Sequence, residues 1–372
     1  PPMAKIISTK EINIMSIEVI ATFPKQDAPA APPSPASEPD APALPTMKAL
    51  NRLLAPYQHA DTRKALWQLT NTLLPFLGLL YWMIRSLEFS YWLTLVLALP
   101  TAGFMVRLFI FFHDCGHNSF FPSRQANKIV GFLLGVLVWT PSEHWWHAHA
   151  VHHATSGNLD KRGTGDVTTL TVDEYRALPL TQRIGYQLFR FPLIMFGLGP
   201  IYTFVLLNRL PFPRFGRKET LNVLWTNLGI AAVTVAGSLL AGSFWNFALV
   251  FLPVIWMAGM GGIWLFYVQH QFDGVYWARD EEWDYVASAL LGASYYQLPR
   301  VLQWFSGNIG FHQIHHLSPR IPNYNLEACY RENPLIQQHS QVITFGAGLR
   351  TARLALIDER NRGRMLSFHD LL

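Results

Sequence analysis

The residues with the clearest capacity for chemistry are the histidines. The chain has 14 of them, and most fall in four places. These are His113-Asp114-Cys115-Gly116-His117; His144, His147, His149, His152 and His153; His270; and His312-Gln313-Ile314-His315-His316. His59, His339 and His369 stand alone in polar contexts and are expected at the surface. Residues four apart on a helix share a face, with Cβ atoms about 5–6 Å apart. An HxxxH pair can therefore point two imidazoles at one ion, and HxxHH places three on one stripe. HxxHH occurs twice, as His149, His152 and His153 and as His312, His315 and His316. Neutral imidazole is a ligand for zinc, copper, iron and nickel. With His113 and His117 the boxes hold more ligands than one ion takes, which implies two metals. In the second cluster, a turn of about 100° per residue keeps His152 and His153 within roughly 60° of His149. The same count turns His144 and His147 to the opposite side, which marks them as bystanders.

Metal chemistry requires these groups to converge, so the elements around them matter. Four apolar segments, residues 66–82, 91–112, 221–241 and 244–268, each approach the roughly 20 residues that a bilayer span needs. A turn at residues 86–90 joins the first two, and Gly242-Ser243 joins the last two. Each pair therefore reads as a transmembrane hairpin, with everything else on one face. Lys and Arg are concentrated outside the two turns, which places that face in the cytoplasm. His113 begins where the second span ends, and His270 sits just past the fourth. Arg107, inside the second segment, is expected to snorkel or pair. Residues 129–139 and 188–207 read as interfacial helices, the second alternatively as a re-entrant segment. The expected fold is an all-α integral membrane protein. Its two transmembrane hairpins (four spans) carry a cytoplasmic helical cap that holds a histidine-rich di-metal site.

Composition agrees with this and excludes other classes. Charged residues make up 14% of the 372, against about 25% in typical soluble proteins, and hydrophobic residues 50%. That leaves too few charges to clothe several soluble domains. Two cysteines, Cys115 and Cys329, rule out a disulfide scaffold and a four-cysteine zinc site. A net charge of +5 in so apolar a chain fits Lys and Arg at a membrane face, with no nucleic-acid partner. The Pro/Ala-rich stretch at residues 24–45 cannot bury a core. The division expected is a disordered tail over 1–49, a core domain over 50–332 and a cytoplasmic C-terminal region over 333–372.

The order HxxxH, HxxHH, HxxHH around two hairpins resembles the membrane fatty acid desaturase family. HDCGH, HAVHHATSGNLDKRGTGDV, FYVQHQFDGVYW around His270 and GNIGFHQIHHLSPRIPNYNL carry the likeness, which covers roughly residues 50–332. In detail these motifs are similar to acyl-lipid desaturases of the Δ12 (omega-6) type. The resemblance implies two iron ions cycling between Fe2+ and Fe3+. It assigns as ligands His113, His117, His149, His152, His153, His312, His315 and His316, with His270 as the extra histidine before the third box. Asp114, Asp160, Asp166 and Asp273 are near enough in sequence to fix ligand histidines, as carboxylates at metal sites do. Cys115 reads as a small spacer, and Gly259, Gly261 and Gly262 as close helix packing or room for an acyl chain.

The implied reaction introduces a cis double bond into a fatty acyl lipid, using O2 and two external electrons. The cytochrome b5 haem motif HPGG is absent from this sequence. The resemblance therefore implies a separate donor, ferredoxin or cytochrome b5, at the basic cytoplasmic face; the membrane is the inner one if the source is bacterial. Related di-iron hydroxylases, epoxygenases, ketolases and acetylenases share the box pattern. A metal transporter is a remote alternative, disfavoured because the histidines lie beyond the span ends and no acidic relay crosses residues 66–82 or 221–241. The topology is testable with reporter fusions. Fusions after Ala60, at Thr171 and after Leu356 should report cytoplasmic, and one at Ser90 the opposite side. A non-cytoplasmic signal at Thr171 would separate the boxes and contradict a shared site.

Overall fold

The computed structural model describes residues 43–211, 216–361 and 364–371. Most of the segment expected to be disordered, residues 1–42, lies outside them. The first helix, α1 (Met47–Leu54), already begins within the stretch assigned to the tail. Asp61 caps α2 (Thr62–Ser86) by accepting from the N–H groups of Arg63 and Lys64. The chain then turns into α3 (Tyr91–Gly116), and Ser86 Oγ lies 2.7 Å from Thr94 Oγ1 across that turn. Beyond α3 come α4 (Arg124–Leu137), α5 (Ser142–Thr155), the short strand β1 (Leu170–Thr171), α6 (Val172–Ala177) and α7 (Leu180–Arg190). Wide π-helical turns at Leu193–Leu198 and Ile201–Leu206 lead to α8 (Arg217–Leu240). Ser243 caps α9 (Phe244–His270) through the Asn246 N–H. The remainder is α10 (Tyr285–Leu291), β2 (Ser294–Gln297), α11 (Arg300–Phe305), α12 (His312–Leu317), α13 (Asn323–Glu332), α14 (Pro334–His339), β3 (Gln341–Thr344), α15 (Phe345–Thr351), β4 (Leu356–Asp358) and β5 (Arg364–Leu366).

The fold is helical, with two small sheets that fasten the C-terminal segment to the cap. β2 pairs in parallel with β3, Ser294 opposite Gln341. β4 lies between β1, parallel, and β5, antiparallel. Among the described residues α3, α8 and α9 are long and apolar enough to cross a membrane. α2 has the length, at 25 residues, but Gln68, Thr70, Asn71 and Thr72 leave it less apolar than these three. The segment expected to be interfacial or re-entrant is a bent pair, Leu180–Arg190 with Leu193–Arg209, broken by 63°. As one unit it is apolar enough for a broken span or a re-entrant loop. Pro192 and Pro200 flank its wide turns, where a missing N–H interrupts regular helix bonding.

One apolar core joins α2, α3, α4 and α9 through Phe76, Met83, Met105, Leu108, Phe112, Leu134, Val250 and Val254. Arg107 is buried beside it at 4% exposure. Its Nε donates to Thr72 Oγ1 at 3.2 Å, a terminal nitrogen donates to the Trp304 carbonyl, and the guanidinium lies 4.1 Å from the Trp304 ring centre. Pairing rather than snorkelling resolves this charge, as burial of an ion requires. A second core backs α12: Leu50 and Leu54 of α1 meet Phe311, Ile314, Leu317 and Leu326.

α3, α4 and α5 are held close by Trp146, whose indole N–H donates to the Phe112 carbonyl at 3.1 Å. A Cβ at Gly131 would lie 2.5 Å from that ring, and one at Gly116 2.3 Å. Gly131→Ala should therefore destabilise the protein by about 1–3 kcal/mol through overpacking. Gly78→Ala, where a Cβ meets nothing within 4 Å, should be neutral or stabilising. Thermal unfolding of both variants in the same detergent checks this, and equal midpoints would contradict the packing account.

Candidate metal centre

Four helical segments deliver the histidines. α3 carries His113 in its last turn and His117 at its C-cap. His270 is the last residue of α9. α5 contributes His149, His152 and His153, and the six-residue α12 contributes His312, His315 and His316. Their ligand nitrogens sort into two groups: His113, His117, His149, His153 and His315, and then His152, His270, His312 and His316. Within each group the nitrogens all lie within 4.8 Å of one another. The groups adjoin, since the His153 ring lies 4.5 Å from His315 of its own group and 4.3 Å from His316 of the other.

Each HxxHH box is divided between the two groups. The i and i+4 histidines stay together and the i+3 histidine crosses over. Neighbours at i+3 and i+4 are about 100° apart on a helix. The single arc inferred from the sequence is thus wide enough to face two centres at once. His270 completes the second group, as the first box completes the first.

The donor chemistry fits metal. His113 Nδ1 lies 3.0 Å from Asp114 Oδ1, His270 Nδ1 lies 3.0 Å from the Gly292 carbonyl, and His152 Nδ1 contacts Asp166 Oδ1. Carbonyls and carboxylates accept, so in the neutral ring these Nδ1 atoms carry the proton and each Nε2 is left with its lone pair. His152 Nε2 and His270 Nε2 then face each other as two lone pairs 3.1 Å apart. A cation satisfies both where a hydrogen bond does not. Nε2 atoms are spaced alike between His113 and His315 (3.0 Å), His149 and His153 (3.1 Å), His270 and His312 (2.9 Å) and His312 and His316 (3.1 Å). Metal–nitrogen bonds of about 2.1 Å at right angles would separate two donors by roughly 3.0 Å. His117 Nε2 is buried with no hydrogen-bond partner. Burial, reinforced by neighbouring imidazoles, pushes His117, His149, His153, His312, His315 and His316 well below the ordinary histidine range. The rings are therefore neutral near pH 7, the form that binds metal.

Asp114 and Asp166 thus lie against His113 and His152. Asp114 is itself held, because its Oδ2 accepts from the Asn323 N–H at 2.7 Å and the Asn323 side-chain amide at 2.9 Å. Asp273 is a correction. It does not reach a histidine; its side chain is 67% exposed and faces Arg364 at 3.6 Å. Beyond α9 the chain turns at Gly274, with φ of +79°; Phe272 and Val275 point inward and leave Asp273 and Gly274 exposed at the turn. Asp160 likewise lies away from the site, paired with Arg279. His147 is exposed and His144 buried, and neither belongs to a group. His59 and His369 are exposed as expected, but His339 is buried at the end of α14. Sequence reasoning missed Asn323 and the Gly292 carbonyl. Asn323 stands seven residues past His316, where its side chain could have been suspected; a backbone carbonyl leaves no mark in a sequence. It also missed Trp145, stacked 4.6 Å from His149, and Phe266, 5.0 Å from His152.

Comparison with known proteins gives the site a context. Residues 90–345 match the family described as fatty acid desaturase. A fatty acid desaturase of Bacillus subtilis is 46% identical over 315 residues, which is 85% of this chain and 89% of that protein. A temperature-sensitive sn-2 acyl-lipid omega-3 desaturase (ferredoxin) of Arabidopsis thaliana is 30% identical over 68% of this chain and 59% of its own length. An sn-1 acyl-lipid omega-3 desaturase (ferredoxin) of a Nostoc strain is 29% identical over 67% of this chain and 69% of its own. The chain belongs to the fatty acid desaturase family.

Proposed function

We propose that this enzyme introduces a cis double bond into the acyl chain of a membrane lipid at a di-iron centre. One observation carries the reading: nine imidazoles, from four helical segments, form two adjoining nests of five and four with nitrogens in ligand range. Iron bound there supplies activation of O2 and removal of hydrogen from an unactivated methylene pair, chemistry beyond any side-chain acid or base. The overall balance is R–CH2–CH2–R′ + O2 + 2e− + 2H+ giving R–CH=CH–R′ + 2H2O. His113, His117, His149, His153 and His315 would hold one ion, and His152, His270, His312 and His316 the other. Asp114, Asp166 and the Gly292 carbonyl fix the rings of His113, His152 and His270 through their Nδ1 atoms. Trp145 and Phe266 lay aromatic surface against His149 and His152 and keep water from those rings.

Acyl-lipid substrates and a ferredoxin donor are supported by the names of the Arabidopsis and Nostoc relatives. The basic, histidine-bearing face is cytoplasmic in this reading, on the distribution of Lys and Arg. The residues around the boxes suggest Δ12 (omega-6) placement, whereas those two relatives are named omega-3. Expression in a host of defined saturated and mono-unsaturated lipids, followed by chromatography of fatty acid methyl esters, tests the reaction and its position. A hydroxylated or epoxidised product, or none, would overturn it.

The ligand sets predict distinct outcomes. His152→Ala and His270→Ala should each lower iron from about two to about one per chain and abolish product, whereas His147→Ala should keep both iron and product. Asp166→Asn should weaken metal retention about 10–100-fold, as loss of a carboxylate behind a ligand histidine does. Iron per purified chain and product yield check all four. A His270→Ala protein with full iron would remove that residue from the centre.

A further inference from the structure

We propose that the face formed by α1 and the turn after α12 is the docking surface for an acidic one-electron carrier protein. The proposal rests on the reading above, because such a donor is needed only if the centre consumes electrons. α12 is one helix thick. Its inner face presents His312, His315 and His316, and its outer face buries Ile314 and Leu317 against Leu50 and Leu54 of α1. A helix with its side chains is about 10–12 Å across, so α12 alone lies between the histidines and the turn that follows it, and α12 with α1 lies between them and the outer face of α1.

An open groove of about 400 Å³ lies beside it, lined by Asn51, Gln58, Leu317, Ser318, Pro319 and Arg320. Gln58 donates to Ser318 Oγ at 3.0 Å, and Ser318 directly follows α12, so the groove floor is two residues along the chain from His316 and three from His315. Around the groove Lys48, Arg52 and Arg320 are exposed, and among the described residues none of them makes an ion pair. Lys48 and Arg52 are four apart on α1 and share its outer face, opposite Leu50 and Leu54.

The other polar cover of the site differs in charge. There Arg279 is bonded to Asp160 and Glu359, Lys161 to Asp280 and Arg162 to Glu174, and Glu281 and Glu282 follow in the same loop. Its cations are already paired with carboxylates, so it offers an acidic partner less than unpaired cations do. Unpaired cations beside α12 select a partner of opposite charge and speed its encounter. Each turnover oxidises two carriers by one electron each, and both electrons go to the reduction of O2 in the balance above.

Steady-state turnover of the full-length, iron-loaded protein with reduced ferredoxin of the two-iron, two-sulfur class tests this. Arg52→Glu combined with Arg320→Glu should raise KM for ferredoxin about tenfold or more at low salt and flatten its salt dependence. Iron content and single turnover of the dithionite-reduced protein should match wild type. Arg52→Gln with Arg320→Gln should show a smaller shift in the same direction. Arg360→Glu, at an exposed arginine paired with Asp173 outside this surface, should leave KM unchanged. An unchanged KM and salt slope in the charge-reversed variant would overturn the docking surface while leaving desaturation intact. Loss of self-association instead of carrier coupling would assign the face to a second copy of the chain. A fall in KM on deleting residues 1–42 would assign it to the chain's own N-terminal segment. Either result overturns the proposal, and absence of product with both reductants overturns it together with the functional reading.

Discussion

Nine imidazoles that would repel one another must share one buried volume. Imidazole nitrogens about 3 Å apart that both offer lone pairs have no intrinsic reason to converge; His152 Nε2 and His270 Nε2 lie 3.1 Å apart. Two things hold them. Apolar packing fixes the helices that carry them, and acceptors behind His113, His152 and His270 fix the orientation of those three rings. A cation bound between them would convert the remaining repulsion into coordination. If metal binds there, its binding should appear as folding stability.

The packing arranges this economically. α3 and α9 lie together in the apolar core and end side by side, so His113, His117 and His270 arrive at one level. α12 has six residues, too few to be stable alone, and α1 and α13 back its apolar face through Leu50, Leu54 and Leu326. Asp114 links the two halves, joining His113 on α3 to Asn323 at the start of α13. β2 and β3 bring residues beyond 340 back against the cap beside these elements.

Much of this is legible in the sequence because periodicity and spacing are local. The box histidines, the paired apolar segments and the position of His270 follow from counting residues along helices. The division of each HxxHH box between two groups is not local. It depends on where the other helices stand, and a 100° arc permits either one centre or two. Asp114 and Asp166 were reachable by proximity, but proximity also named Asp273, which a turn carries to the surface. α2 shows the same limit: its length reads as a span, yet polar residues in its first half make it the least apolar of the four helices assigned to the hairpins. Burial of His339 could not be read from its polar neighbours, because tertiary packing decides it.

The central claim is that the two histidine nests each bind an iron ion. Metal analysis of the purified, iron-loaded protein, combined with X-ray absorption at the iron edge, tests it most directly. The account predicts about two irons per chain with a first shell dominated by imidazole nitrogen at about 2.1 Å. One iron per chain, or a shell dominated by carboxylate oxygen or sulfur, would contradict it.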